Sequence, residues 1–148
     1  MSVLVRGVSS VVAVSIIVSV GVTVLSGQTG TVAASAAWVK TPASGETSAM
    51  AFATIDNPTM YDVYFTSGAT DAAGKVELRD KSKGADQKVQ TVEFVTVPAY
   101  GSLSMDQNSV YLMLLDLKRP LKEGDTVSLT LSTQDGVKLQ VSAAVRNQ

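Results

Sequence analysis

Apolar and polar residues alternate along most of the chain after residue 37, with the two-residue period of a half-buried β-strand. The pattern is clearest near the C-terminus, where every second residue from Val127 to Leu131 is apolar. A second alternating run, ending at Val145, follows the dipeptide Asp135-Gly136. Asp-Gly between two such runs is a strong hairpin signal, because glycine readily adopts the positive φ angle that the turn needs. These two runs are therefore predicted to pair as a β-hairpin.

Further short apolar runs are separated by turn residues and predict additional strands. In the run that contains Glu77 and Arg79, these two charged residues alternate with two apolar ones, which indicates a strand with one buried face. Roughly seven to nine short strands at this spacing indicate an all-β, antiparallel sandwich or barrel. The other predicted strands cover residues 49–55, 61–66, 75–80, 89–94, 102–105 and 110–115, and the last of these is apolar on both faces and is expected in the interior of the sheet.

The first 36 residues have the order of a secretory signal sequence. Arg6 precedes an uncharged apolar run at residues 8–25, and Ala34 and Ala36 follow with the spacing of an A-x-A cleavage site. This order predicts that residues 1–36 are removed and that the domain comprises residues 37–148. The alternative is a retained membrane anchor, because the apolar run approaches the roughly 20 residues that span a bilayer. Either way, the protein is expected to be exported to the periplasm or the outer face of the cell envelope.

Composition removes several classes of function. The 148 residues include no histidine and no cysteine, and the net charge is −1. A Ser-His-Asp triad, a thiol nucleophile, a disulfide and a lipid-modified cysteine are therefore excluded within this sequence. The near-neutral charge does not indicate nucleic-acid binding. No catalytic constellation remains, so the protein is expected not to be an enzyme.

Residues 37–148 resemble the periplasmic copper chaperones of the PCu(A)C type. The resemblance rests on Ala37-Trp38-Val39, on residues 72–78 (AAGKVEL), on Val97-Pro98-Ala99 with Gly101, and above all on residues 112–131, which read LMLLDLKRPLKEGDTVSLTL. The resemblance implies a cupredoxin-like antiparallel β-sandwich outside the cytoplasm, which binds one copper(I) ion and passes it on.

The family's copper ligands are two His-x-Met pairs with a further methionine between them. Residues at i and i+2 of a strand point the same way, and soft thioethers suit copper(I). Only Met113 matches when the ligand positions are carried over one by one. They fall on Arg79 and Lys81 for the first pair, on Lys88 or Gln90 for the intermediate methionine, and on Tyr111 and Met113 for the second pair.

Two cations thus stand where the family places ligands for a cation, which opposes copper binding. The resemblance therefore predicts a degenerate, non-catalytic member of the family that keeps the scaffold without a cofactor. One alternative is a copper(I) carrier that uses a reduced site of Met113 and Met105. Another is a cell-envelope binding module in which Arg79, Lys81 and Tyr111 form a docking surface. The expected partner is a cell-envelope protein or a copper-site assembly factor, with membrane contact only through residues 8–25 if they are retained.

Overall fold

The computed structural model describes residues 30–82, 86 and 88–147, and this part of the chain is built of β-strands. No segment within these ranges forms a helix of the length and apolar character needed to cross a membrane. The strands are β1 Ala33–Lys40, β2 Ala49–Asn57, β3 Val63–Thr70, β4 Ala73–Asp80, β5 Gln90–Thr91, β6 Val95–Val97, β7 Gly101–Ser104, β8 Val110–Leu117, β9 Thr126–Thr133 and β10 Lys138–Arg146.

The strands form one sheet that closes on itself. Its order is β4-β8-β2-β1-β10-β9-β3, and β3 pairs again with β4. The short strands β5, β6 and β7 pair with β4, β3 and β2 respectively. The β1–β10 pair is parallel and the other pairs are antiparallel. The predicted all-β sandwich or barrel is therefore confirmed.

Gly68 permits the closure of the barrel. It is the β3 residue that pairs with Val76 of β4, and a Cβ atom at this position would lie 2.8 Å from Val76 Cγ1. Contacts this short do not occur between non-bonded carbon atoms, so with a larger residue either the Val76 side chain or one of the two strands would have to shift. The sequence pattern ended this strand before Gly68, whereas β3 continues to Thr70 because the glycine lies inside the seam.

The barrel interior is filled by the apolar positions that alternate along the strands. Val127, Leu129 and Leu131 of β9 are buried, as predicted, and so are Ala143 and Val145 of β10. The Asp135-Gly136 hairpin is also confirmed, with Gly136 at a φ of +83°. Strand β8 lies in the middle of the sheet between β4 and β2, as its apolar pattern indicated. Its Leu112 and Leu114 are fully buried.

Strand β1 begins before the predicted cleavage point. Most of the predicted signal peptide or anchor lies outside the described residues, but Ala33, Ala34 and Ser35 pair with β2. A β-bulge then separates Ser35 from Trp38, with Ala36 at a φ of 49°. Cleavage after Ala36 would remove the first half of this strand.

The side chain of Asn57 links two loops at one end of the barrel through hydrogen bonds. Its side chain is 1% exposed, and its Nδ2 donates to the carbonyl oxygens of Tyr61, Val97 and Pro98 at 2.8, 3.1 and 3.1 Å. Its Oδ1 accepts from the backbone N–H of Thr59 at 3.1 Å. Because these partners belong to the β2–β3 loop and to the segment before β7, one buried amide holds both segments in place.

Asn57→Ala is expected to destabilise the protein by about 2 kcal/mol or more, because three carbonyl groups lose a buried donor. The measurement is the free energy of unfolding from urea denaturation. Asn147→Ala is the matched control, since its side chain bonds only to exposed Glu123; it should change the stability by less than about 0.5 kcal/mol. Equal effects of the two variants would contradict this role of Asn57.

Candidate functional site

The positions of the family ligands meet on the outer face of strands β4 and β8. In this antiparallel pair Arg79 lies directly opposite Tyr111, and Glu77 lies opposite Met113. Leu78 is paired with Leu112 between them, and both leucines point into the core. Because side chains alternate along a strand, the four neighbouring residues share the other face. The register thus brings Arg79, Tyr111 and Met113 together.

Arg79 is held in an ion pair on its own strand. Its Nη2 and Nε lie 2.9 and 3.2 Å from Glu77 Oε2, so two N–H groups of the guanidinium donate to the same carboxylate oxygen. Lys75 Nζ lies 2.7 Å from the other oxygen, Glu77 Oε1. The side chains of Arg79 and Glu77 are 27% and 14% exposed, respectively. Glu77, two residues before Arg79, therefore offsets part of its charge, but this carboxylate is shared with Lys75.

The two cations also change the acidity of Glu77. Hydrogen bonds from the side chains of Lys75 and then Arg79 lower the pKa of this carboxyl group from 4.5 to about 2. These bonds stabilise the ionised form, which is the form that accepts them. Glu77 is consequently charged at every physiological pH, and the cluster of Lys75, Glu77 and Arg79 stays intact.

Tyr111 is part of an aromatic row that crosses three strands. Its ring lies 6.3 Å from that of Phe52 on β2, which lies 4.6 Å from that of Trp38 on β1. The guanidinium carbon of Arg146 sits 4.6 Å from the centre of the Trp38 ring, within the range of a cation–π contact. With only 2% of Tyr111 exposed, its ring serves packing, and a partner would meet little of it.

Met113 is next to Met50, not to Met105. Met50 of β2 pairs directly with Met113 of β8, and both side chains are half-buried. Both line a cavity of about 190 Å³ whose wall also includes Lys40 and Glu46. Met105 is buried in the core, and its N–H donates to the carbonyl of Ala53 at 3.0 Å. Ala53 is three residues along β2 from Met50 and faces the other side of the sheet.

The remaining ligand positions lie at the margin of this face. Lys81 follows β4, and its Nζ lies 3.3 Å from Asn108 Oδ1. Lys88 is exposed ahead of β5, and Gln90 pairs with Asp80. The residue paired with Arg79 on β5 is Thr91, whose Oγ1 is 3.4 Å from Glu77 Oε2. The predicted strand over residues 89–94 includes Thr91, but the observed β5 is shorter, and nothing in the sequence indicates that it pairs with β4 beside Glu77.

Among the described residues, no three histidine, cysteine or carboxylate side chains are grouped so as to hold a metal ion. The soft donors of the site are thus the thioethers of Met113 and its neighbour Met50. Met113 lies directly opposite Glu77 of the charged cluster, and Met50 lies one strand further from it.

The fold of this barrel is that of the PCuAC domains. It matches the apo PCuAC domain of PmoF1 with a TM-score of 0.71 and 21% identity, over 80% of this chain and 96% of the other. The copper-bound PCuAC domain of PmoF2 matches with a TM-score of 0.69 and 16% identity, over 80% and 95% of the two chains. The solution structure of CuI-DR1885 from Deinococcus radiodurans matches with a TM-score of 0.64 and 31% identity, over 76% of each chain.

The sequence comparisons give the family. The model described as "Putative lipoprotein LpqE-like" matches residues 32–145, and the chain belongs to this LpqE-like family. "Putative lipoprotein Lxx21020" of Leifsonia xyli subsp. xyli (strain CTCB07) is 29% identical over 115 residues, which are 76% of this chain and 68% of the relative. The predicted relationship to the PCu(A)C copper chaperones is confirmed. The PCuAC copper chaperones are non-enzymatic, metal-binding proteins.

The carboxyl group of Glu77 is expected to titrate with a midpoint near 2 in the folded protein. Because this pKa lies below the ordinary value of 4.5, the stabilisation by Glu77 is complete above about pH 4.5 and is lost as the pH falls through about 2. The measurement is the carboxyl ¹³C chemical shift as a function of pH.

Lys75→Met and Arg79→Met should each move the midpoint towards 4.5, since each removes a donor to the carboxylate. Lys138→Met on β10 is the control with the same change in side chain and should leave the midpoint unchanged. A midpoint near 4.5 in the unmodified protein would show that the charged cluster does not form.

Proposed function

We propose that this chain is an exported, non-enzymatic member of the PCuAC-type proteins that keeps the scaffold but has lost the usual His/Met copper(I) site. Its role is then that of an accessory protein of the cell envelope. The lipoprotein names of the matched family and of the Leifsonia relative support an envelope location. The copper(I) form of DR1885, at 31% identity, supports descent from a copper carrier.

One observation carries this proposal. The cross-strand pair that would bring two ligands to one point is Arg79 with Tyr111, and neither side chain is free to bind metal. Arg79 is bound to Glu77 and does not lose its proton, and Tyr111 is packed against Phe52. Met113 is the only ligand position that still carries a soft donor.

Repulsion between the cationic side chains and a bound copper(I) ion is a smaller effect than the number of cations suggests. A lone arginine about 4 Å from a bound ion would repel it by roughly 1 kcal/mol in water and by more at a partly buried site. Glu77 balances this charge at 2.9 Å, so the repulsion is partly cancelled. The loss of donor atoms is therefore the main reason why copper(I) should bind weakly.

A second candidate function is copper(I) carriage through thioethers. The sequence suggested Met113 with Met105, but Met50 is the methionine next to Met113. Two thioethers in the wall of one cavity could hold a soft ion at low coordination number, with Glu46 nearby to offset Lys40. Met50→Leu and Met113→Leu would each abolish such binding, whereas Met105→Leu would not.

The third candidate is a docking surface for a cell-envelope protein or a copper-site assembly factor. Arg79 and Lys81 are its accessible members, because Tyr111 is buried. The charge reversal Arg79→Glu would weaken such a complex and would also break the ion pair with Glu77. Lys81→Glu, which leaves that ion pair intact, is therefore the more informative variant in a binding measurement with the purified partner.

The purified chain is expected to bind copper(I) no more tightly than micromolar in competition with a chromogenic copper(I) chelator. The combined variant Arg79→His and Tyr111→His should bind at least about a hundredfold more tightly, a gain of about 2.8 kcal/mol, because it sets two imidazoles opposite each other next to Met113. Circular dichroism checks that the variant is folded.

Thr130→His with Gln140→His is the matched control, since these positions are paired across β9 and β10 and have no methionine beside them. It should not gain copper(I) affinity. Nanomolar binding by the unmodified chain that is lost in Met113→Ala would refute the proposal and favour the thioether carrier.

A further inference from the structure

The most exposed large apolar side chains of the described residues gather at one end of the barrel. Met60, Tyr61 and Tyr100 are 61%, 72% and 73% exposed, and Val137 is 63% exposed. The first three lie on two adjacent segments, because the N–H of Tyr100 donates to the carbonyl of Thr59 at 3.0 Å. Single exposed apolar residues are ordinary, but a group of them marks a contact surface.

This end is held rigidly in spite of its exposure. The buried amide of Asn57 binds both segments, and the N–H of Ala99 donates to Asp62 Oδ1 at 2.9 Å. Tyr100 has a φ of 52°, a left-handed conformation that is unusual for a bulky residue. A conformation of this kind persists only where the surroundings impose it, and it is more common at functional positions. The backbone thus presents the Tyr100 ring outwards at a conformational cost.

The described chain begins at this same end. Gly30 lies against Pro58, where a Cβ atom would come 2.4 Å from the proline Cγ. Gly30 also lines, with Thr59 and Val137, an open cavity of about 440 Å³. The polypeptide therefore enters the barrel beside Pro58 and near Val137, on the segment that leads directly to Met60 and Tyr61.

An apolar run of the length that spans a bilayer precedes Gly30, and a short segment joins it to the barrel. Residues 8–25 are 18 uncharged residues, preceded by Arg6, whose charge favours the cytoplasmic side. The five residues from Ser26 to Gly30 extend over at most about 17 Å. With residues 8–25 in a bilayer, this end of the barrel lies within that distance of its surface.

We propose that residues 8–25 are retained as a membrane anchor and that Met60, Tyr61 and Tyr100 rest in the lipid headgroup layer outside the cytoplasm. Tyrosine suits this layer, because its ring is apolar and its hydroxyl group is polar. Retention also keeps the first half of β1, and the family match begins at residue 32, ahead of the A-x-A site. The chain has no cysteine to carry a lipid, so the apolar run takes the place of a lipid anchor. This proposal does not depend on copper binding.

The absence of cysteine makes the test direct. Met60→Cys, Tyr61→Cys and Tyr100→Cys variants of the full chain are each labelled with a fluorophore and reconstituted in phosphatidylcholine nanodiscs that contain a headgroup-linked nitroxide quencher. We expect most of the fluorescence to be lost at all three positions. Ser44→Cys, in the loop after β1 at the opposite end of the barrel, is the control and should keep its fluorescence.

A further variant separates docking from mere proximity. In a chain that carries Tyr61→Ser and Tyr100→Ser, the label at Met60→Cys should lose much less fluorescence to the quencher. Equal quenching with and without the two tyrosines would show that the tether alone holds the barrel near the lipid and would overturn the docking. Unquenched labels that become buried as the protein concentration rises would indicate a second copy instead. A natural N-terminus at Ala37, measured by mass spectrometry, would overturn the retained anchor.

Discussion

The register between β4 and β8 is the constraint on which the rest of the site depends. Backbone hydrogen bonding sets Leu78 opposite Leu112 in the core, so the residues on either side must meet on the outer face. A shift by one residue would turn Arg79 and Glu77 into the barrel, where unpaired charges are very costly. In this chain the pairing brings together an arginine and a tyrosine, Arg79 and Tyr111. Arg79 forms an ion pair with Glu77 on the same strand, and Tyr111 packs against Phe52 on the neighbouring strand β2.

Aromatic and charged side chains lie next to one another across strands β1, β2, β8 and β4. The aromatic row of Trp38, Phe52 and Tyr111 is covered by Arg146 at one end, and the charged cluster of β4 borders it at the other. Each element satisfies groups that would otherwise be exposed apolar rings or unpaired charges. The aromatic row and the charged cluster are therefore both supplied with partners from within this chain.

Much of the fold could be predicted from the sequence, because the alternation of strands such as β9 and β10 records which face is buried. The alternation does not show which strands pair with each other. Met105 is nearer than Met50 to Met113 along the chain, yet Met50 lies beside it because β2 pairs with β8. Thr91 lies in a predicted strand, but its pairing with Arg79 leaves no pattern in the sequence, and the start of β1 was concealed by alanines that also fit a cleavage site. The resemblance to a family named the ligand positions, but only the coordinates show what holds Arg79 and Tyr111.

The parallel pairing of β1 with β10 joins the first and last strands of the described chain. Such contacts span almost the whole domain in sequence, and contacts of this separation form slowly and late in folding. The barrel cannot close while the ribosome is still making its final strand. The complete barrel can therefore form only after synthesis has reached β10, because β1 has no partner on that side until then.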